Sequence, residues 1–288
     1  MSGAGQMQSA APASRCLITG ATGRLGSLLR ALWPAEDSPQ PIWLARRGDA
    51  DILWPGADAP LPDLPRCETL VALWGQTSGD AQTLVQNVDL VAQGVKLAHA
   101  CGAKRVFHIS TAAIYGSGRA MEESRIPAPI NAYGSAKLEM ERAIAALPRD
   151  GLRHVILRLA NVVGSDSLAP ALQHPERGIT LDRFADGAGP RRSYIAPGDL
   201  ARVLAGLARL APDTLPDTLN IAAPAPVAME DLARAAGCPV NWRTAPPEAQ
   251  AEVSLDTARL ARLLPDALHH VTAREMLADW NSAQGRIA

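Results

Sequence analysis

Cys16-Leu-Ile-Thr-Gly20-Ala-Thr-Gly23-Arg-Leu-Gly26 is the stretch that decides the fold. Its three glycines are spaced three residues apart, after an apolar strand-like segment and at the opening of a helix-like one. A glycine triplet also occurs in ordinary turns, but here Gly20 permits a tight turn, Gly23 the approach of a pyrophosphate, and Gly26 close packing of helix on sheet. The helix N-terminus attracts phosphate. The predicted cofactor-binding residues of this turn are Gly20, Thr22, Gly23, Arg24, Leu25 and Gly26.

Strand-like and helix-like segments alternate beyond this turn, which is typical of a parallel sheet with crossover helices. We therefore predict an α/β fold, a Rossmann-like doubly wound parallel sheet with a small, partly discontinuous C-terminal substrate lobe. The predicted strands are 15–19, 41–45, 69–74, 105–110 and 154–159, and the predicted helices are 24–33, 80–100, 132–147 and 198–210.

The predicted domain organisation follows from composition along the chain. Residues 1–14, rich in Ala, Ser, Gly and Gln, are expected to form a disordered extension. Residues 15–160 form the dinucleotide-binding domain. Residues 161–288 form mainly the substrate lobe, and about 196–222 return to the first domain. The Pro- and Asp-rich stretch 49–66 predicts a short crossover with little helix.

Composition argues against several classes of function. A net charge of −1 over 288 residues offers no overall attraction for nucleic acid. The four cysteines lie far apart without metal-ligand spacing, so we expect free thiols and no metal site. No segment has the ~20 apolar residues that span a bilayer, and the N-terminus lacks the features of a signal peptide. We therefore expect a cytoplasmic protein that has neither a membrane nor a nucleic-acid partner.

The end of the second strand indicates which nicotinamide cofactor is preferred. About 20 residues beyond the glycines, NAD-binding proteins carry an acid that bonds the adenosine ribose, whereas this chain has Leu44-Ala-Arg46-Arg47. Guanidinium groups suit a 2′-phosphate, so NADP is preferred over NAD, with Arg46 and Arg47 as cofactor residues and Arg24 as a helper. The alternative is that both arginines are solvated residues at a strand end.

A second motif, Tyr133-Gly-Ser-Ala-Lys137, places a phenol and an ammonium four residues apart in a predicted helix. Positions i and i+4 share one helix face, so Lys137 is expected to lie near Tyr133 and to favour its ionised form. A phenol whose pKa starts near ~10 could then exchange protons near neutrality. Together with the glycine turn, this pair indicates redox catalysis.

From about residue 15 to residue 236, the chain resembles the extended short-chain dehydrogenase/reductase family, also called the NAD-dependent epimerase/dehydratase family. The resemblance is carried by five marks in family order. They are the TGATGRLG turn, Asn87-Val88, the segment from Ala103 to Ile114-Tyr-Gly116, the YGSAK motif, and Leu157-Arg-Leu-Ala-Asn-Val-Val-Gly164.

The resemblance implies roles for specific residues. Thr111, or its neighbour Ser110, would hydrogen-bond the substrate oxygen, and Tyr133 would be the general acid/base. Lys137 would hold the nicotinamide ribose and lower the Tyr133 pKa. Hydride would move between nicotinamide C4 and a substrate carbon. The predicted catalytic residues are thus Thr111, Tyr133 and Lys137.

The resemblance also implies substrate contacts and limits the chemistry. Asn161 stands where the family places a substrate-pocket asparagine, and Arg192 where it places a phosphate-contacting arginine, although Arg192 could equally be a surface residue. Family dehydratases carry Asp-Glu after the active-site Thr, whereas Ala112-Ala113 follow here, which argues against water elimination. Trp74 stands where the family often has a small residue, so it either narrows the nicotinamide pocket or fills the core.

These features predict an NAD(P)-dependent oxidoreductase or epimerase of the extended short-chain type. Its substrate would be a carbonyl or alcohol of a sugar, sugar nucleotide or similar small molecule. The alternative is a non-catalytic NAD(P)-binding regulatory or scaffold protein of the same fold. By analogy with the family, the helices at 80–100 and 132–147 imply a homodimer.

Overall fold

A computed structural model of the chain describes residues 14–287 except 37, 78 and 149. The extension predicted for residues 1–14 lies outside the described residues apart from Ser14. Within these ranges the helices are α1 Arg24–Leu32, α2 Ala81–Cys101, α3 Ala132–Ala145, α4 Ala169–Gln173, α5 Pro197–Arg209, α6 Met229–Ala235, α7 Ala258–Leu263 and α8 Ala273–Ile287. The strands are β1 Arg15–Thr19, β2 Gln40–Ala45, β3 Ile52–Leu53, β4 Thr69–Ala72, β5 Arg105–Thr111, β6 Gly118–Met121, β7 Arg153–Leu159, β8 Asn161–Val162, β9 Ile179–Arg183, β10 Arg191–Arg192, β11 Tyr194–Ile195, β12 Thr218–Ile221, β13 Val227–Ala228, β14 Val240–Thr244 and β15 Glu252–Leu255.

The main sheet of the described chain has seven parallel strands in the order β12-β7-β5-β4-β1-β2-β3. The strand order reverses between β1 and β4, so the chain winds outward from this point in both directions. Helices α1 and α5 pack together over one face of the sheet, and α2 and α3 pack together over the other. This confirms the predicted doubly wound, Rossmann-like fold. Ligands of such folds bind at the carboxyl edge near the reversal.

The central strands are largely apolar because helices cover both of their faces. In β1, Leu17 packs with the cluster under α2, whereas the next residue, Ile18, packs with the cluster under α5. All four residues of β4 are buried. The strands therefore lack a polar alternation, and their carboxyl ends carry the polar groups of the site.

The crossover from β3 to β4 contains no helix among its described residues, as its proline content predicts. Trp54 anchors this segment, being only 2 % exposed. Its ring lies against Trp74, with centroids 6.1 Å apart. Both rings pack in the cluster under α2, so Trp74 contributes to the core.

The later part of the chain divides between the sheet and a smaller lobe. Helix α5 packs on α1, and β12 pairs with β7 at the edge of the main sheet. The lobe contains the sheet β13-β10-β15-β6 and the pair β14·β9. The exact domain boundaries stay a prediction. Among the described residues, no helix has both the length and the apolar character needed to cross a membrane.

Candidate active site

The glycine turn lies between β1 and α1 at the carboxyl edge of the sheet. Gly20 has a φ of +76°, which side chains disfavour, and a Cβ there would lie 3.1 Å from the Trp74 backbone nitrogen. A Cβ on Gly26 would lie 2.2 Å from the Gly20 carbonyl oxygen. Gly23 has an extended backbone, and its amide donates to the Gly20 carbonyl at 3.0 Å. The absence of side chains therefore allows α1 to begin directly against the end of β1.

The first turn of α1 is open to an anion. No side chain caps the helix at Gly23, and the first turn carries no acidic residue. Amides in the first turn of a helix have no intrahelical acceptor. Thr22 and Arg24 are exposed here, and Leu25 is half-buried. A dinucleotide pyrophosphate fits this cradle, because it would accept hydrogen bonds from these amides beside the Arg24 guanidinium.

Arg46 and Arg47 follow β2 and lie close to the glycine turn. The next residue is Gly48, where a Cβ would stand 3.1 Å from the Thr22 methyl group. The Ala21 amide also donates to the Leu44 carbonyl at 3.2 Å. Both arginines are exposed. The fold therefore brings their backbone beside the turn, with the side chains in solvent.

The two acidic residues of this loop already have partners. The Asp49 carboxylate lies 3.0 Å from the Arg30 guanidinium. The Asp51 carboxylate accepts a hydrogen bond from the Trp43 amide at 2.8 Å. Neither contact involves the glycine turn, so the charge offered to a ligand there is that of the exposed arginines.

Thr111 ends β5, and Tyr133 is the second residue of α3. The Thr111 side chain lies near the Tyr133 phenol and acts to lower its pKa, and the Thr111 hydroxyl oxygen accepts from the Ala113 amide at 3.2 Å. Helix α3 is fixed at this point by Asn131, whose Oδ1 accepts from the Gly134 amide at 2.8 Å. A Cβ on Gly134 would lie 2.6 Å from the Ala113 carbonyl oxygen. Glycine after the tyrosine therefore lets α3 approach the turn that follows β5.

Lys137 lies one turn after Tyr133, but its ammonium is directed at the strand. Its Nζ donates to the Ile109 carbonyl at 2.8 Å and contacts the Met140 sulfur at 3.6 Å. The residue is 3 % exposed. Burial lowers the pKa of Lys137 to about 8, although the Glu141 carboxylate opposes this.

The predicted lowering of the Tyr133 pKa by Lys137 stays a prediction. In the described chain, burial raises the pKa of Tyr133, and the Thr111 side chain counters that rise. The Lys137 ammonium is bonded to the Ile109 carbonyl. Tyr133 is therefore a protonated phenol at neutral pH.

Ser110 and Asn161, both predicted to bind substrate, are held by other side chains. The buried Ser110 hydroxyl donates to Glu141 Oε1 at 2.5 Å. The Ser110 hydroxyl is therefore engaged by Glu141 on α3. Asn161 lies near the Tyr194 side chain, whose hydroxyl donates to Asp166 at 3.0 Å. Burial raises the Asp166 pKa to about 6.

Arg192 lies half-buried on β10 in the small lobe. Its guanidinium donates to the carbonyls of Arg191 at 2.8 Å and Gln250 at 2.9 Å. These bonds fix the guanidinium against the segment that enters β15. The structure does not bring Arg192 into the hydrogen bonds of the Thr111–Tyr133–Lys137 group.

A cleft of about 620 Å³ opens between the ends of β9 and β14. The Arg183 guanidinium lies 4.3 Å above the centre of the Trp242 ring. Phe184 and Arg243 also line this cleft, whereas the catalytic residues do not. Stacked cationic and aromatic groups offer a surface for a planar or anionic group.

Two neighbours of Lys137 were missed as site residues. Asn87 is 1 % exposed, and its Oδ1 accepts from the Gln76 amide at 3.0 Å. A Cβ on Gly75 would lie 2.9 Å from Asn87 Oδ1 and 3.2 Å from Lys137 Nζ. Glycine after Trp74 thus leaves the space that these side chains fill. The sequence signal for Asn87 was the Asn87-Val88 pair, one of the five marks of the family resemblance.

Known proteins resemble this chain in sequence and in fold. The profile of the NAD dependent epimerase/dehydratase family matches residues 16–222. A UDP-glucose 4-epimerase from Azospirillum brasilense is 30% identical over 178 residues, 54% of this chain and 51% of that protein. A dTDP-4-keto-6-deoxy-D-glucose reductase from Streptomyces niveus is 35% identical over 159 residues, 52% of this chain and 53% of that protein. The chain spans about half the length of the curated relatives it matches.

A solved structure, MoeE5 in complex with UDP-glucose and NAD, has the same fold. It superposes with a TM-score of 0.75 at 19% identity and covers 96% of this chain and 100% of its own.

Proposed function

The chain belongs to the NAD dependent epimerase/dehydratase family, and on that premise we propose that it is a nicotinamide-dinucleotide-dependent oxidoreductase or epimerase. Its substrate would be a sugar nucleotide or similar small molecule with a carbonyl or alcohol group. The observation that carries the proposal is that the segment Trp74–Gly75 lies between the glycine turn and Lys137. Gly20 packs on Trp74, and the adjacent Gly75 packs on Lys137. Tyr133 lies at the start of the helix that carries Lys137, near Thr111 at the end of β5.

The residues divide the chemistry among them. A bound nicotinamide supplies the hydride donor or acceptor. Tyr133, protonated at neutral pH, donates a proton to a substrate carbonyl oxygen in reduction and recovers it in oxidation. The Thr111 hydroxyl orients that oxygen. The Lys137 ammonium has donors beyond the one bonded to Ile109, and these would hold ribose hydroxyls.

Replacing Tyr133 by Phe tests the enzyme assignment. The phenyl ring keeps the packing, so cofactor binding should be retained, while turnover should fall by about 100-fold or more because the proton donor is lost. Wild type and Tyr133→Phe would be titrated with NADPH and NADH by nicotinamide fluorescence, then assayed with UDP- and dTDP-sugars. Undiminished turnover in the variant would exclude Tyr133 as the acid/base. The same assay separates the two reactions, since a reductase consumes NAD(P)H and an epimerase leaves it unchanged.

The finer cofactor choice that we propose is NADP over NAD. It is supported by the exposed Arg46 and Arg47 beside the turn. It is also supported by the acidic side chains of this loop, because Asp49 pairs with Arg30 and Asp51 accepts from the Trp43 amide. A 2′-phosphate dianion would pair with guanidinium groups at this edge.

We propose Arg192 as the anchor for the phosphate of the substrate. Burial lowers its pKa, and its bonds to backbone carbonyls fix its direction without neutralising its charge. The curated relatives are enzymes of UDP- and dTDP-sugars. Arg192→Gln should weaken UDP binding in calorimetry and leave NADPH binding intact; equal UDP affinity would remove this role.

Two further proposals concern the protein in the cell. A homodimer through the outer faces of α2 and α3 is supported by Val85, an apolar residue of α2 that is 58 % exposed.

A cytoplasmic location is supported by free thiols at Cys16, Cys67, Cys101 and Cys238, which suit a reducing compartment. Fractionation with the protein recovered outside the cytosol would contradict the location.

A further inference from the structure

A buried ion pair lies behind Lys137, between α3 and the sheet. Glu141 follows Lys137 by one helical turn, and its Oε2 lies 2.8 Å from Arg158 Nη2 on β7. The Glu141 and Arg158 side chains are 5% and 8% exposed. Glu141 Oε1 also accepts the hydroxyl of Ser110 at 2.5 Å. The carboxylate therefore joins α3 to two neighbouring strands.

The network continues from Arg158 across the sheet. Arg158 Nη1 donates to the Tyr115 hydroxyl at 2.7 Å, and that hydroxyl donates to Asn220 Oδ1 at 2.9 Å. Asn220 Nδ2 then donates to the Met121 carbonyl at 2.8 Å. Tyr115 and Asn220 are both fully buried. Each polar side chain of this network, from Glu141 on α3 to Asn220 on β12, thus has a hydrogen-bond partner.

The position of the network connects it to the catalytic group. Ser110 immediately precedes Thr111 on β5, and Glu141 lies on the helix that carries Tyr133 and Lys137. The Ser110–Glu141 bond therefore ties the two parts that must stay in register for Thr111 to meet Tyr133. A buried ion pair adds little net stability compared with apolar packing. The position of the Glu141–Arg158 pair, between α3 and the sheet, is better explained by a role in holding these elements in place.

The charges that face Lys137 give Glu141 a second effect. On α3, the Glu141 carboxylate favours the charged ammonium, while burial opposes it. On β5, His108 is uncharged at neutral pH, because burial lowers its pKa to about 3. Gly75, on the segment after β4, and Asn87, on α2, are neutral. Arg158 on β7 forms its ion pair with Glu141.

We propose that Glu141 is a positioning residue of the catalytic centre: it fixes α3 against the end of β5 through Ser110 and Arg158, and its carboxylate keeps the Lys137 ammonium charged. This rests on the proposed function, because it assigns Lys137 a charged role at the cofactor. Glu141 itself does not reach the reacting atoms and acts through its neighbours.

The chain allows a direct measurement, because it contains only three lysines, Lys96, Lys104 and Lys137. Lysine labelled with ¹³C at Cε would give three NMR signals, and Lys137→Met would identify the buried one. The pH midpoint of that signal would be compared in wild type, Glu141→Gln and Glu139→Gln. Glu139 is an exposed carboxylate on the same helix, paired with Arg142, and is the matched control.

Glu141→Gln should lower the Lys137 midpoint by about one pH unit, because a nearby opposite charge is removed. Glu139→Gln should leave it unchanged, and Glu141→Asp, which keeps the charge, should restore most of it. An unchanged midpoint in Glu141→Gln would overturn the proposal. Should that variant fail to fold with Arg158 unpaired, Glu141→Gln combined with Arg158→Met carries the same expected and overturning results.

The measurement is independent of the enzyme assignment. Absent NADPH and NADH binding would refute the proposed function while leaving a shifted Lys137 midpoint in place. An unchanged midpoint together with normal cofactor binding would refute only the role of Glu141.

Discussion

Gly26 and Gly75 show how single residues shape this site. A methyl group at Gly26 would meet the Gly20 carbonyl oxygen at 2.2 Å, and one at Gly75 would meet Asn87 Oδ1 at 2.9 Å. The first contact would push α1 away from β1, and the second would displace the side chains around Lys137. At both positions, the reason for glycine is the space that it leaves to a neighbour.

Arg46 is the residue at which cofactor choice can be tested. Arg46→Ala should weaken NADPH binding by about 10-fold or more, because a charge-assisted bond to a 2′-phosphate contributes about 1.5–3 kcal/mol. NADH binding should hardly change. Fluorescence titration with both cofactors measures the ratio, and Arg262→Ala, which removes an exposed arginine on α7, is the matched control. Unaltered NADPH affinity in Arg46→Ala would leave the arginines as solvated surface residues.

At the scale of elements, the first turn of α3 positions Tyr133, the proposed acid/base. Asn131 caps the helix by accepting from the Gly134 amide, and Tyr133 lies inside that capped turn. Lys137 lies deeper in the helix, where its Nζ is fixed on Ile109. Fraying of the first turn would therefore move Tyr133 and leave Lys137 in place.

Removal of this cap gives an element-scale prediction. Asn131→Ala should cost about 1 kcal/mol of unfolding free energy. It should also reduce turnover by about 10- to 100-fold, because a small misplacement of a catalytic group is costly. Asp80→Ala removes the equivalent bond to the Thr83 amide at the start of α2 and is the control. Urea unfolding and steady-state kinetics would measure both variants; equal losses of turnover would show that the cap acts only on stability.

At the scale of the whole molecule, acidic groups fasten the C-terminal segment to the dinucleotide-binding part. Asp199, fully buried on α5, accepts from the His270 amide at 2.9 Å. Asp279 of α8 accepts from the Gly198 amide at 2.7 Å. Helix α8 consequently packs on α1 and α5. The last helix thus supports α1, the helix that follows the glycine turn.

The proposed dimer is the prediction that belongs to this scale. Light scattering of the purified protein should give twice the chain mass, and Val85→Arg should shift it to the monomer mass, because a charge would enter an apolar interface. Leu53→Arg is the control. Leu53 is similarly exposed, at 54 %, but it lies on the edge strand β3 and not on α2 or α3. A monomer in wild type, or a dimer that survives Val85→Arg, would contradict this interface.

The sequence alone determined the features that depend on neighbours along the chain. The glycine spacing predicted the turn at Gly20, and the alternation of apolar segments predicted the parallel sheet, because both follow from local backbone geometry and burial. Helix ends agreed within about two residues for the same reason. The spacing of Tyr133 and Lys137 placed them on one helix face.

Only the tertiary structure decided where the polar side chains point. It directed Lys137 to Ile109, Ser110 to Glu141, and Trp74 into the core. It also paired Glu141 with Arg158, which is 17 positions away in sequence. The physical reason is that burial and charge pairing depend on groups that strand register brings together. No local periodicity records those partners, so the electrostatics of the site emerge only when the sheet and its helices are assembled.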